Sequence, residues 1–325
     1  MLPTLITLLF VLSPALGGWL GVAPLGLLAG AVLVPLAEVV VGERTLGRPV
    51  AAVGVQRLLM LLVLVQIPWS AWQAAQWSGW AGCGLALSMG YVSGGIGIVL
   101  AHELGHRRSR LDAGLSRVLL ALVAWGPYRL EHNLGHHRWA ATGRDVASAR
   151  ADQSLPTFLP GYLYGVYRHG LQLGNRHGPW RNEALWLLLL SAAWGAALGL
   201  MWGAGALLFW LLQAVVAVLL VAAVDYVEHW GLRRALLEGR PARMTDAHTW
   251  DCANGVSDAL LFELPRHAHH HRAANVPTGG LQRTPAAPQM PTGYAGMVLL
   301  ASVPPLWVAV MRPRLARHLA SGASA

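Results

Sequence analysis

An all-α, polytopic membrane fold is the architecture this sequence predicts, and three observations predict it. Only 12% of the 325 residues are charged, against roughly 25% in soluble domains. The mean hydropathy is positive. Residues 1–37, 58–101 and 184–224 contain no Asp, Glu, Lys or Arg.

A membrane helix needs about 20 apolar residues, so each charge-free run is long enough for two. The first run predicts helices at about 3–19 and 22–41, the second at 57–76 and 79–101, the third at 184–202 and 205–226. The turns fall near Gly18-Trp19, Gln76-Trp77 and Trp202-Gly203, without charge and with tryptophans suited to an interfacial belt. The N-terminus lacks a positive leader region and is read as a retained span, not a cleaved signal. The segments 107–181 and 230–325 follow the second and third hairpins on the opposite side. Within them, 113–125 and 293–311 are apolar but short or proline-broken, and are read as interfacial or buried helices. No repeat or long linker divides the chain, so 1–325 is expected to be one domain.

All arginines lie on the side away from the hairpin tips, which the positive-inside rule assigns to the cytoplasm, with both termini. The location expected is a bacterial inner membrane, crossed several times. The formal charge is +9, and the sequence has no lysine. A basic cytoplasmic face suits anionic lipid or an acidic protein partner; no nucleic-acid partner is expected. The two cysteines, Cys83 and Cys252, have no CxxC companion. No zinc ribbon, rubredoxin site or iron–sulfur cluster is encoded, so electrons for any redox chemistry must come from another protein.

Ten of the 14 histidines fall into four groups: His102 and His106; His132, His136 and His137; His229; and His267, His269, His270 and His271. On an α-helix, positions i and i+4 share a face. The pairs His102/His106, His132/His136 and His267/His271 meet that condition, and His137 and His270 add neighbours reaching a second coordination position. With His229 these are nine candidate ligands, leaving His269 spare. Nine imidazoles exceed the four that zinc takes and suit two ions of four or five ligands each. Imidazole alone does not select among Fe, Zn, Cu and Ni. Glu103, Glu131 and Glu228 each adjoin a candidate ligand, as orienting partner for an imidazole N–H or as direct oxygen ligand. His248 is a further supporting candidate; His169, His177 and His318 read as ordinary polar residues. HELGH alone fits a zinc protease equally well, but the seven further histidines exceed what that chemistry needs. A metal-transport protein would place histidines within its spans, not at their ends.

The motifs then resemble a family. HELGHR at 102–107, EHNLGHHRWAATGRDVASAR at 131–150, DYVEHWGLRR at 225–234, LPRHAHHH at 264–271 and MPTGYAGMVLLASVPPLWVAVMRPRL at 290–315 occur in order. Together they resemble the integral-membrane alkane 1-monooxygenases, relatives of xylene monooxygenase and of membrane fatty-acid desaturases, over about Pro35 to Leu315. The resemblance implies a non-haem centre of two iron ions held by the nine histidines, with no catalytic residue beyond it and Asp145 as a further supporting group. It also implies six membrane helices, O2 as co-substrate, terminal hydroxylation of an apolar chain from the lipid, and electrons from a rubredoxin- or ferredoxin-type donor with its reductase. A lipid desaturase or alkylaromatic monooxygenase of the same superfamily is the rival. The chain departs from the family pattern at Glu38, Asp225, Asn254-Gly255, Pro265 and His269. None of these removes a candidate ligand.

Overall fold

The computed structural model describes residues 1–47, 50–77, 79–234 and 236–321. The side chain of His177 and the C-terminal end at Ala325 lie outside the described residues. In chain order the helices are α1 (Leu2–Leu20), α2 (Leu25–Val41), α3 (Val53–Gln76), α4 (Trp80–Gly105), α5 (Arg110–Leu122), α6 (128–139), α7 (Leu155–Gly174), α8 (Glu183–Trp202), α9 (Ala204–His229), α10 (Gly255–Leu260), α11 (His267–Arg272), α12 (Tyr294–Ala301) and α13 (Pro304–Ala320). Among the described residues the only strands are the short pair β1 (Leu236–Leu237) and β2 (Arg240–Pro241), with one isolated bridge between Asp251 and Gln289.

Among the described residues five helices, α1, α3, α4, α8 and α9, are long and apolar enough to cross a bilayer. The sixth apolar helix, α2, has 17 residues, about 26 Å at 1.5 Å per residue, at the low end for a span of about 30 Å. Its N-terminal end is lost to the turn, where Gly21 takes a positive φ of 71° and Pro24 precedes the first helical residue. Leu5, Leu9, Val39, Val40, Val65, Leu189, Leu208 and Val215 are exposed along the outer faces of these helices. So much contiguous apolar surface fits lipid rather than water, and the chain is a multi-pass membrane protein.

α4 is the most buried of the long helices. It packs along α9, α3 and α1. Gly94 makes the close approach to α9 possible: a Cβ there would stand 2.8 Å from the carbonyl oxygen of Ala217. The histidine-bearing end of α4 is therefore fixed by the core of the bundle. Glu183, at the start of α8, accepts from Arg129 Nε at 2.6 Å and from Arg117 Nε at 2.9 Å. Those contacts tie α6 and α5 to the bundle.

The apolar segment 113–125 is mostly α5, an amphipathic helix burying Leu119, Leu120 and Ala121 while Leu111 and Val118 remain exposed. The segment 293–311 is broken into α12 and α13, which bend by 119°. Pro304 and Pro305 start the second helix and account for the break. α12 packs on α9 and α2.

Three stretches widen from α to π: Ala29–Leu33 in α2, Ser93–Ile98 in α4 and His132–His136 in α6. Such wide turns recur at functional sites, and all three here border one region.

Candidate metal centre

Two helix ends supply the first ligand candidates. α4 continues past its apolar run to present His102 and His106, and α9 ends on His229. α11 is only six residues long, and tertiary contacts hold it. Asp251 Oδ1 accepts from the backbone N of Ala268 at 2.7 Å. Arg266, just before it, pairs with Asp258 at 3.0 Å and Glu263 at 2.7 Å.

These elements gather nine histidines into two groups. One holds His102, His106, His132, His137 and His270; the other holds His136, His229, His267 and His271. Within each group the ring nitrogens offered lie within 4.8 Å of one another. Neighbouring Nε2 atoms are closer still: His102–His270 3.1 Å, His102–His106 3.2 Å, His132–His137 3.1 Å, His136–His271 3.1 Å, His229–His267 3.1 Å and His267–His271 3.0 Å.

The grouping corrects one pairing. An α-helical reading puts His132 and His136 on one face, but the structure joins His132 to His137 and sends His136 to the other group. The π turn over His132–His136 is the reason: its i→i+5 bonding brings positions five apart onto one face. His102/His106 and His267/His271 keep the i, i+4 relation. His269 joins neither group; its Nδ1 accepts from the backbone N of Gln282 at 3.1 Å.

The donor set fits metal ions. A neutral imidazole Nε2 offers one N–H or one lone pair, yet His102 Nε2 lies within hydrogen-bond distance of two other Nε2 atoms. A shared cation satisfies such a cluster where protons do not. With metal–nitrogen bonds of about 2.1 Å, donors about 90–110° apart stand roughly 3.0–3.4 Å from each other, the spacing seen here.

Electrostatics point the same way. Burial first, and neighbouring imidazoles second, push His132, His137, His267, His270 and His271 well below the usual histidine range. Burial, with help from Arg129, takes His106 down to about 4. A lowered value favours the neutral ring, the form that ligates. His136 differs: burial lowers it, but the Asp145 carboxylate outweighs burial and pushes it up to about 9. Both Asp145 oxygens lie 3.1 Å from His136 Nδ1, and Ser148 Oγ donates to Oδ2 at 2.5 Å. Asp145 is itself held below the usual carboxylate range: burial raises it, and His136 lowers it by more.

The other acidic candidates differ in placement. Glu228 Oε2 lies 3.3 Å from His267 Nε2, on the same side as the ring nitrogens of its group, and Tyr294 donates to Glu228 Oε1 at 2.7 Å. Glu131 is buried with Oε1 3.9 Å from His169 Nδ1, and His169 belongs to neither histidine group. Glu103 accepts from Arg107 and from the backbone N of Thr278, and its described hydrogen bonds do not include a histidine. His248 engages Thr245, and His318 Nε2 contacts the carbonyl of Ala247 at 2.9 Å. Sequence reasoning missed Tyr294 and Asp251. Tyr294 stands inside the quoted C-terminal motif, and that was the signal available; Asp251 had none.

An apolar cavity of about 100 Å³ leads to the histidines. Gly30, Ala31, Gly94, Ile98, Val99, Val221, Val224, Leu260 and Val298 line it, and His102, His132 and His267 stand in its wall. It therefore touches both groups. Leu299, in the same wall, is exposed on the outer surface.

Residues 75–301 match the fatty acid desaturase family. Alkane 1-monooxygenase 1 of Pseudomonas aeruginosa is 40% identical over 246 residues, 73% of this chain and 64% of that protein. Alkane 1-monooxygenase 2 of the same organism is 36% identical over 275 residues, 81% of this chain and 72% of that protein. The hydroxylase component of xylene/toluene monooxygenase from Pseudomonas putida is 27% identical over 245 residues, 72% of this chain and 64% of that protein. The chain thus spans a little under two thirds of the first of these relatives. The chain belongs to the fatty acid desaturase family, in the group of the alkane 1-monooxygenases.

Proposed function

We propose that this protein hydroxylates the terminal carbon of alkanes or similar apolar chains to primary alcohols, using O2 and two iron ions held by His102, His106, His132, His137 and His270 in one group and His136, His229, His267 and His271 in the other. The observation that carries this reading is the meeting of both imidazole groups at the wall of an apolar cavity. The balanced reaction takes a C–H bond, O2, two electrons and two protons to an alcohol and water. The electrons come from a separate rubredoxin- or ferredoxin-type donor served by its reductase.

An alkane offers no polar handle, so acid–base groups cannot open it. The chemistry supplied by a bound iron pair is reduction of O2 and insertion of one of its atoms into the C–H bond. The chain's own residues hold and orient. Asp145 accepts the Nδ1–H of His136 and fixes that ring with Nε2 toward its group. Tyr294 fixes Glu228 beside His267, where the carboxylate offsets part of the cationic charge. The apolar lining disfavours water, and a chain that enters it methyl first brings its terminal carbon toward His102, His132 and His267.

Whole-cell conversion of a panel of alkanes, alkylaromatics and fatty acids with a supplied donor system tests the reading. Primary alcohols from alkanes, and about two iron atoms per purified chain, are expected. Olefinic products would move the protein to the desaturases; a single bound zinc would return it to the proteases.

Orientation gives a separate expectation. The charge-free tips and clustered arginines support a topology with the metal groups and both termini on the cytoplasmic side of an inner membrane. Reporter fusions after Gly18, Gln76 and Trp202 should score as periplasmic and one at Ala325 as cytoplasmic. A periplasmic C-terminus would overturn this topology.

A further inference from the structure

Most arginines near the metal groups already have a carboxylate: Arg57, Arg107, Arg117, Arg129, Arg266, Arg272 and Arg283 are all paired. Others, such as Arg108 and Arg168, form no ion pair among the described residues, and three of the unpaired ones stand together. Arg138, Arg144 and Arg176 are exposed around one open cleft of about 660 Å³, and among the described residues none of them forms an ion pair. We propose that this cleft is the docking surface for a small acidic iron–sulfur electron donor, a proposal that rests on the monooxygenase reading above.

Part of the cleft wall is aromatic. Trp139 lies in its wall, with the Arg138 and Arg144 guanidinium carbons 5.1 Å and 4.6 Å from its ring. Cation–π attraction holds both charges at the rim beside an apolar contact surface. The acids within the cleft do not cancel those charges outward. Asp145 is buried against His136, and Glu131 is buried facing His169.

Position distinguishes this cleft from an ordinary basic patch. Trp139 follows His137 by two residues and His136 by three, and those two histidines belong to different metal groups. Asp145, in the cleft lining, is hydrogen-bonded to His136. The ligand segment is also rigid from behind. The buried Arg234 donates to the carbonyls of Arg138 and Ala140 at 2.5 Å and 2.7 Å. Electron transfer weakens steeply with distance, and a donor seated on this cleft rests against the segment that carries His136 and His137, one from each group. Anionic lipid would account for three arginines, but not for their arrangement around an indole beside both ligand sets.

In turnover, two reduced donors each lose one electron here. With two protons those electrons reduce O2: one oxygen atom enters the substrate as hydroxyl and the other leaves as water.

The test uses the purified, iron-loaded chain and an acidic rubredoxin-type protein as probe. Binding is measured directly, and the apparent KM for donor is measured at 0.1 M and 1 M salt, over which the Debye length falls from about 10 Å to about 3 Å. The Arg144→Glu/Arg176→Glu double variant should weaken binding by about tenfold at low salt and flatten the salt dependence. Arg312→Glu/Arg317→Glu, on exposed α13 positions, should change neither. Trp139→Ala should lower turnover at saturating donor while iron content stays unchanged. Iron content and the product of one dithionite-driven turnover, which needs no donor, show that the variants' centres are intact. Unchanged donor binding in the Arg144/Arg176 variant overturns the proposal, as does a loss confined to binding phosphatidylglycerol vesicles. Turnover of the wild type with NADH and no donor protein would instead remove the reading on which the proposal stands.

Discussion

Replacing His270 with alanine should abolish turnover and remove roughly half of the bound iron, because the five-histidine group loses a donor. His136→Ala should do the same through the four-histidine group. His269→Ala, one position from His270, should leave iron content and turnover close to wild type. The physical distinction is direction. His270 Nε2 lies 3.1 Å from His102 Nε2, whereas His269 turns outward to the backbone of Gln282. Metal analysis of the purified variants alongside product formation decides it. Iron lost from the His269 variant and kept in the His270 variant would mean that α11 is rotated by one residue from the arrangement described here.

Asp145→Ala should weaken iron binding by about 10–100-fold, the usual cost of removing a carboxylate that orients a metal-bound imidazole. The loss should concern the four-histidine group, since Asp145 contacts His136. Asp145→Asn keeps an acceptor for the Nδ1–H but loses the charge, so it should fall between alanine and wild type. Iron retention against a chelator series reads the effect, and thermal unfolding separates it from damage to the 140–149 loop, which Asp145 also braces through Ser148 and the backbone N of Ala147. Iron retention in the alanine variant equal to wild type would limit Asp145 to bracing that loop.

Much of this protein is legible in its sequence because a bilayer leaves few options. With no water to satisfy the backbone, a long apolar run must be helix. The long apolar helices, the absence of extensive sheet and the membrane class therefore follow from composition and charge spacing. The histidines were legible because imidazoles at helical spacing beside apolar runs have few other uses.

Other features depended on contacts between distant segments. The length of α2 was set by how Gly21 and Pro24 turn the chain, which hydropathy does not register. The division of the nine histidines into five and four was decided by the π turn in α6, since the same letters read as α-helix pair His132 with the wrong neighbour. The partners of the candidate carboxylates were also a tertiary matter. Glu103 and Glu228 stand equally close to a histidine in sequence, yet one faces Arg107 and Thr278 while the other faces His267 and Tyr294. Sequence by itself determined which side chains are available and which segments must be helical, because local periodicity and the absence of charge act within one helix. Only the tertiary structure decided which imidazoles stand together, where the apolar cavity meets them and which of the described arginines lack an ion pair, because those depend on the phase and packing of helices that the chain brings together from its two ends.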